Sequence, residues 1–528
     1  MWSRAGAAGR AQPGQTRSFR APTRGLVVNE NLAAMKAQGA IVLDNWIPIA
    51  RGVRVRRGSI KRATVGTSPV ESLMSYFAGS TRKLFAASDG EIFDITSPAD
   101  PDAAPSADVS GLTGNYWIGV NYRTSGGAYM VCVNGADSLE LYDGSTWTEI
   151  TGVSTPAITG VATSTLVHAW VYRNRLYFVQ KNTQDAWYLG VDAIGGSATK
   201  FTLNGIFQKG GNLHFGGTWS LDAGDGIDDK CVFVSDLGEI VVFQGAYPGG
   251  SDWSLVGRYD GAPPLGRKAT MSAGGDLLMA TKTGLVAVSA SITKDPGAIG
   301  LTAVSRPIEP LWTETAEARD AYPWEIAKWT ERQIAIVSAP MAESTQDTLA
   351  FVVNLETGAW ATISGWDTRA LVLHDGIVYF GTNDGTVLEA ETGGQDDGQP
   401  FYARLAMAWD HCGAEGAYKE FVSARAVFRA SRPFTPLLTV STDYAQSFDT
   451  PPAAASGIAS SLWDEGLWDV ALWDTDDADP TASIEWQSLA NAGIVAAPQV
   501  QITSGATSSP EVELTSFDLI YKVGGVVA

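Results

Sequence analysis

Histidine and cysteine are scarce in this 528-residue chain. There are four histidines, His168, His214, His374 and His411, and three cysteines, Cys132, Cys231 and Cys412. No HExxH pair and no zinc-type spacing can be built from so few, and the odd, scattered cysteines exclude a disulfide framework. That pattern fits assembly in a reducing cytoplasm. Charge is also thin, at 18% of residues. Lys and Arg total 37 against 57 Asp and Glu, a formal charge of −20. Such a surface does not grip nucleic acid, because phosphate binding relies on Lys and Arg releasing counterions. No run approaches the ~20 apolar residues of a membrane span.

Other chemistry is missing too. There is no GxSxG elbow. Gly261 to Lys268 imitates a phosphate-binding loop, but Arg267 stands where the lysine belongs, and Pro263 and Pro264 carry no amide donors. His411 beside Cys412 is one pair, not a metal site. Asp222, Asp225, Asp228 and Asp229 crowd one loop without the alternation of a calcium loop. Thr357 to Trp360 and Ser441 to Asp443 are single echoes of propeller docking and Asp-box motifs. No catalytic, cofactor-binding or metal-binding set emerges, and no cofactor is expected.

What is abundant is glycine, 57 residues, and tryptophan, 18. Many glycines and aromatics with few charges favour short strands and tight turns. Leu84-Phe85-Ala86-Ala87 and Glu91 to Ile95 flank a Ser-Asp-Gly turn, a hairpin signal. Similar two-strand units recur at Tyr129–Tyr142, Leu176–Leu189, Val232–Phe243, Leu277–Val288, Ile334–Val353 and Ile377–Leu388. A period of about 40 to 60 residues predicts four-stranded propeller blades. Continuous apolar runs suit strands covered on both faces. The expected fold is all-β: a β-propeller of six to eight blades with a C-terminal β-sandwich or barrel-like platform region.

Four parts follow. Residues 1–25, with Arg4, Arg10, Arg17, Arg20 and Arg24, read as a flexible basic arm. Residues 26–65 read as one short helical stretch and platform strands, and 66–395 as the propeller. Residues 396–528 read as a second β domain with strands near 401–409, 422–429, 437–442 and 512–523, and a Trp-rich insertion at 451–480.

Two features point to contacts. Leu462-Trp463-Asp464, Leu467-Trp468-Asp469 and Leu472-Trp473-Asp474 repeat every five residues, a period of neither helix nor strand. Trp463, Trp468 and Trp473 either anchor an interface or cover the protein's own core. Arg51, Arg54, Arg56, Arg57, Lys61 and Arg62 form a basic stretch in which Val53 and Val55 alternate with Arg54 and Arg56. It reads as a basic face for an acidic neighbour or DNA, or as a solvated strand face.

Several segments resemble one known family. They are Ala21 to Asn29, Asn31 to Ala33, Val42 to Pro48, Gly52 to Ser59, Pro69 to Leu73, Leu84 to Ala87, the Trp-Asp repeats and the closing Phe517 to Gly525. Together they resemble the tail nozzle (tail tubular protein B-like) structural proteins of short-tailed phages. The resemblance implies a non-enzymatic virion component, assembled in the host cytoplasm. It implies a homo-hexameric ring below the portal and adaptor rings, with propellers outside and platform and nozzle parts lining the conduit. Its partners would be the adaptor ring of the head-to-tail connector, tail fibres, and DNA passing during ejection without sequence-specific binding. Two alternatives stand: a receptor- or glycan-binding propeller of a fibre or spike, and a carbohydrate-active propeller enzyme.

Overall fold

The computed structural model describes residues 14–220, 229–293, 298, 300–341, 346–432, 434–454 and 481–526. The chain divides into two compact units: unit 1 is Met1–Gly58, Glu356–Thr362 and Gly393–Ala528, and unit 2 is Ser59–Leu355 and Ile363–Thr392. Both are built mainly from β-strands. No described helix is long and apolar enough to cross a membrane.

Unit 1 is assembled from both ends of the chain. One sheet runs in the order Trp46–Ile49, Gly52–Val55, Glu513–Val526, Ala417–Ala430, Thr481–Gly493. Ala417–Ala430 alternates buried and outward residues, interrupted by an irregularity between Phe421 and Ser423. That alternation is the two-residue period of a sheet with one covered face. Four further strands lie side by side as Ala40–Asp44, Phe401–Met407, Ala496–Ser504 and Pro436–Thr442.

The basic arm expected at residues 1–25 is in part a strand. Gln15–Arg20 pairs antiparallel with Glu513–Val526, Gln15 opposite Tyr521. It shows no apolar alternation because it lies mostly exposed and is held by backbone pairing and polar ends. Arg17 reaches Asp410 at 2.6 Å and the Ser18 hydroxyl donates to Asp518 at 2.5 Å.

Among its described residues unit 2 holds seven consecutive antiparallel groups of strands. The first comprises Ser72–Ala78, Thr81–Ser88, Glu91–Asp94 and Ala107–Val109; the second Ile118–Thr124, Gly127–Val133, Leu139–Tyr142 and Trp147–Ile150. The third is Leu166–Tyr172, Arg175–Gln180, Asp185–Tyr188 and Thr199–Thr202; the fourth Leu213–Trp219, Lys230–Ser235, Glu239–Gln244 and Ser254–Asp260. The fifth is Thr270–Ala273, Asp276–Thr281 and Gly284–Ala287; the sixth Ile326–Trp329, Ile334–Ser338 and Ala350–Asn354. The seventh is Ala370–His374, Ile377–Gly381 and Thr386–Ala390, completed by the distant Ser59–Thr64.

Each two-strand unit read from the sequence is the second and third strand of one group. Asp89 and Gly90, at φ 52° and 76°, make the two-residue turn between Thr81–Ser88 and Glu91–Asp94. A side chain at Gly90 would also meet the Leu112 carbonyl at 2.5 Å. After the fifth group the chain turns helical, at Val288–Thr293 and Glu309–Ala318. Glu309 and Pro310 start the second helix, and Trp312, Thr315 and Ala316 bury one face of it.

The core of unit 2 lies in layers between successive groups. Met74, Phe85 and Ile92 of the first pack with Met130, Cys132 and Tyr142 of the second. Similar layers join second to third, third to fourth and fourth to fifth. Leu73, Leu84 and Phe93 of the first pack with Ala370, Tyr379 and Val387 of the seventh. Strand contacts follow the same cycle. Ser72–Ala78 touches Ile118–Thr124, which touches Leu166–Tyr172, then Leu213–Trp219, then the fifth group, Ile326–Trp329 and Ala370–His374, which touches Ser72–Ala78 again.

Candidate functional site

The first strands of unit 2 border a cavity of about 570 Å³. Leu73, Met74, Ile118, Leu371 and Val372 give it apolar walls, and Lys268 lines it. Arg82 and Asp375, 3.4 Å apart, line it where the same strands finish.

Ionisable residues gather at the starts of these strands. Glu71, Tyr116, Lys268, Glu325 and Arg369 each stand one or two residues ahead of a first strand, and His214 is the second residue of one. Backbone pairing fixes the belt: Lys268 and Glu325 form a parallel bridge, and the Glu325 amide donates to the Ser338 hydroxyl at 2.8 Å. The Leu371 amide donates to the Glu325 carboxylate at 2.7 Å.

The side chains are crowded but poorly bonded. Lys268 Nζ forms an ion pair with Glu325 Oε1 at 3.0 Å. Arg369 is 7% exposed and its closest carboxylate, Glu71, is 3.6 Å away. Its guanidinium stacks 3.4 Å from the Tyr322 ring centre, and Nε and Nη1 have no partner. His214 Nε2 is likewise unpartnered. Arg267 Nε donates to the His214 carbonyl at 3.1 Å.

Electrostatics tie the belt together. Burial raises the Tyr116 hydroxyl far above the usual phenol range, helped by Glu325 and opposed by Arg267, a hydrogen bond from the Lys268 backbone and Arg369. Burial pushes His168 and His214 down to about 3, and the Arg267 charge adds to both. Burial also lowers Arg267 and Arg369. Lys268 pairs with Glu325, and Glu71 and Glu325 both act on Arg369. Asp236 and Asp367 act on the arginines from further out, held by Asn212 and Asn383.

A Ser–His contact occurs at the same cavity. Ser75 Oγ lies 2.9 Å from His374 Nδ1. No carboxylate is bonded to the other ring nitrogen among the described residues, so the orienting member of a hydrolytic triad is missing there.

A second cavity of about 490 Å³ lies along the first and second groups and is lined by Asp108, Asp137, Glu140 and Glu149 with Trp147. Glu140 and Glu149 face each other across neighbouring strands. Burial, then Glu149 and Asp137, push the Glu140 carboxyl up to about 7.

The basic stretch does not form one outward face. Strand pairing stops at Val55, and Arg56 turns inward and is fully buried. It donates to Asn45 Oδ1 at 2.7 Å and to both oxygens of Asp396 at 2.8 and 2.6 Å, and lies 3.8 Å over the Phe401 ring. Arg57 pairs with Glu511 and Arg51 with Glu513. Arg54 is half-buried and donates to the Val55 carbonyl at 3.4 Å. In unit 2, Lys61 pairs with Asp102 at 2.8 Å and Arg62 donates to the Ile95 carbonyl at 3.2 Å. The acidic partners are distant in sequence, which is why the strand pattern alone gives no sign of them.

Trp463, Trp468 and Trp473 lie outside the described residues, as do Asp222, Asp225 and Asp228. Gly261 to Lys268 connects two strands rather than a strand and a helix, so the phosphate-loop context is absent. Trp360 is fully buried in a strand, and Asp443 accepts from the Ile494 amide at 2.7 Å. No group of three or more His, Cys, Asp or Glu among the described residues is placed to hold a metal ion.

No family model matches the chain, and no curated protein matches it. Solved structures give distant likenesses. BBS1N in complex with ARL6DN is 10% identical, covering 66% of this chain and 97% of that one, at a TM-score of 0.40. The computationally designed Ika8 protein is 12% identical, covering 63% and 99%, at 0.34. Raptor of Chaetomium thermophilum is 11% identical, covering 66% and 29%, at 0.38.

Proposed function

We propose that this chain is a structural, non-catalytic component of a short-tailed phage tail, the nozzle of the head-to-tail conduit. In this reading unit 2 is a seven-bladed β-propeller and unit 1 a sandwich-like platform. The cyclic contacts of the seven strand groups, with Ser59–Thr64 completing the seventh, support the propeller. The observation that carries the functional reading is chain layout. The segments before Gly58 and after Gly393 that resemble nozzle proteins belong to unit 1, and the repeats between them belong to unit 2 apart from Glu356–Thr362, which joins unit 1. Six copies assemble into a ring in the virion tail and meet the adaptor ring and tail fibres. A formal charge of −20 per copy gives a ring that repels DNA phosphates and lets the genome slide.

Negative-stain imaging of the purified protein with its adaptor ring tests this. A sixfold ring with a central hole is expected. Lasting monomers or trimers in the adaptor's presence count against it, and position in a virion reconstruction decides it. The cavity of about 570 Å³ favours a second reading, a ligand-binding propeller of a fibre or spike, for which a glycan-array hit is the test.

A further inference from the structure

We propose that the acid-lined cavity along the first and second strand groups binds an extended organic cation, a linear polyamine, among Asp108, Asp137, Glu140 and Glu149. The inference is independent of the hexamer, because every residue it uses lies within unit 2.

Glu140 is the first ground. It is 5% exposed and lines the cavity, and among the described residues no hydrogen bond or ion pair reaches its carboxylate. Buried carboxylates are ordinarily paired, because an unpaired charge gives up its hydration for nothing. Its partner across the strands is another acid, Glu149, and like charges in that position weaken a sheet. A cation in the cavity supplies the missing partner and relieves the repulsion.

The other buried glutamates show what a self-sufficient acid looks like in this chain. Glu239 accepts from the Gln208 and Lys209 amides at 2.9 and 2.7 Å. Glu325 meets Lys268 at 3.0 Å and the Leu371 amide at 2.7 Å. Glu391 pairs with Arg332 at 3.2 Å. Glu140 has neither an amide nor a cation.

Charge sets the ligand's sign. No Lys or Arg is among the described residues that line the cavity. Lys83 acts on Asp108, but it is paired with Asp94 at 2.6 Å. Asp137 is fixed by the Thr113 and Gly114 amides and the Asn134 side chain. Trp147, packed against Phe85 and Tyr142, adds an aromatic wall, a surface that favours cations. Spacing sets the ligand's class. The cavity measures about 490 Å³, and no three of its acids are placed to hold one metal ion. Amines separated by methylenes reach several of them at once.

Proton linkage gives the site a signature. Burial, Glu149 and Asp137 bring Glu140 to about 7, so a bound cation favours its ionised form and releases a proton. Asp108 lines the same cavity from the first group. The Cys132 thiol, opposite Glu140 on the preceding strand, is pushed up by burial and stays neutral in this range.

Calorimetric titration of the full chain with spermidine tests the site, at constant ionic strength balanced by sodium chloride. Saturable binding near one per chain is expected, about tenfold tighter at pH 8 than at pH 6. Glu140→Gln should weaken binding about tenfold at pH 8 and remove the pH dependence. The double variant Asp108→Asn with Glu149→Gln should weaken it at least as much. Asp375→Asn, at the other cavity, should leave binding unchanged. A short peptide with two lysines is the second probe. Tighter binding of spermidine identifies a free polyamine as the ligand, and tighter binding of the peptide identifies lysine side chains of a partner; either supports the cation site. If a variant misfolds, the melting temperature of the unaltered protein serves instead, and it should rise with spermidine at fixed ionic strength. No saturable heat and no spermidine-specific rise overturns the proposal. Binding unchanged in Glu140→Gln, or magnesium binding as tightly as spermidine, overturns it too.

Discussion

Arg56 and Asp396 meet through two parallel hydrogen bonds, 2.8 and 2.6 Å, although 340 positions separate them. The arginine side chain has no exposure at all. Removing one partner of such a pair leaves an uncompensated buried charge. Asp396→Ala is expected to destabilise the protein by about 3–5 kcal/mol, measured by chemical denaturation. The double variant Arg56→Met with Asp396→Leu should recover much of that loss. A loss below about 1 kcal/mol for the single change would contradict the role given to the pair.

Lys419 makes the same point with carbonyls. Its buried ammonium donates to the carbonyls of Ala414, Ala417 and Ile494 at 2.6, 3.0 and 2.7 Å. Lys419→Met leaves three carbonyls without that donor and should cost about 3 kcal/mol or more. Denaturation midpoints of the variant check this.

Glu140 sets a pH dependence. Its folded value, about 7, stands above the ordinary 4.5. The stability it contributes is present below 4.5 and is lost as pH rises through about 7. Glu140→Gln should therefore stabilise the protein at pH 8, by up to about 3 kcal/mol, and change little at pH 4. Melting curves at the two pH values provide the measurement, and equal shifts at both would rule out the assignment.

His168 and His214 pull the other way. Both stay neutral when folded, with values near 3 against an ordinary 6.5. Their contribution is present above pH 6.5 and lost as pH falls toward 3. His168→Gln is expected to flatten the acid limb of the stability curve. Nuclear magnetic resonance titration of the ring protons should show no protonation of either histidine at pH 5.

Trp463, Trp468 and Trp473 bear on assembly. Changing all three to Ser should abolish ring formation while the melting temperature stays constant. A lower melting temperature with intact rings would instead assign them to the protein's own core.

The seven hairpins were legible because their signal is local. Apolar runs covered on both faces are continuous, and turns such as Asp89-Gly90 name themselves through positive φ. Strands that complete a sheet from afar carry no such mark. Nothing in Ser59–Thr64 points to Thr386–Ala390, and nothing in Gln15–Arg20 points to the C-terminal strand. The belt was missed for the same reason. Its signal is weak but present: a charge directly ahead of an apolar strand, at Glu71, Glu325 and Arg369, in three of the seven repeats. The basic stretch misled because alternation was followed one residue past Val55, where pairing ends and Arg56 turns inward.

The pairing of Thr64 with Thr386 has a consequence for biosynthesis. The strand Ser59–Thr64 leaves the ribosome early, and its partner appears only after about 320 further residues. At about 5–20 residues per second the delay lasts tens of seconds. Throughout that interval the nascent chain carries an open β edge, and two such chains on one polysome can exchange strands. Interlocked dimers would then be expected to increase under crowded translation and to fall with slower initiation, which size-exclusion of protein made at two initiation rates would measure.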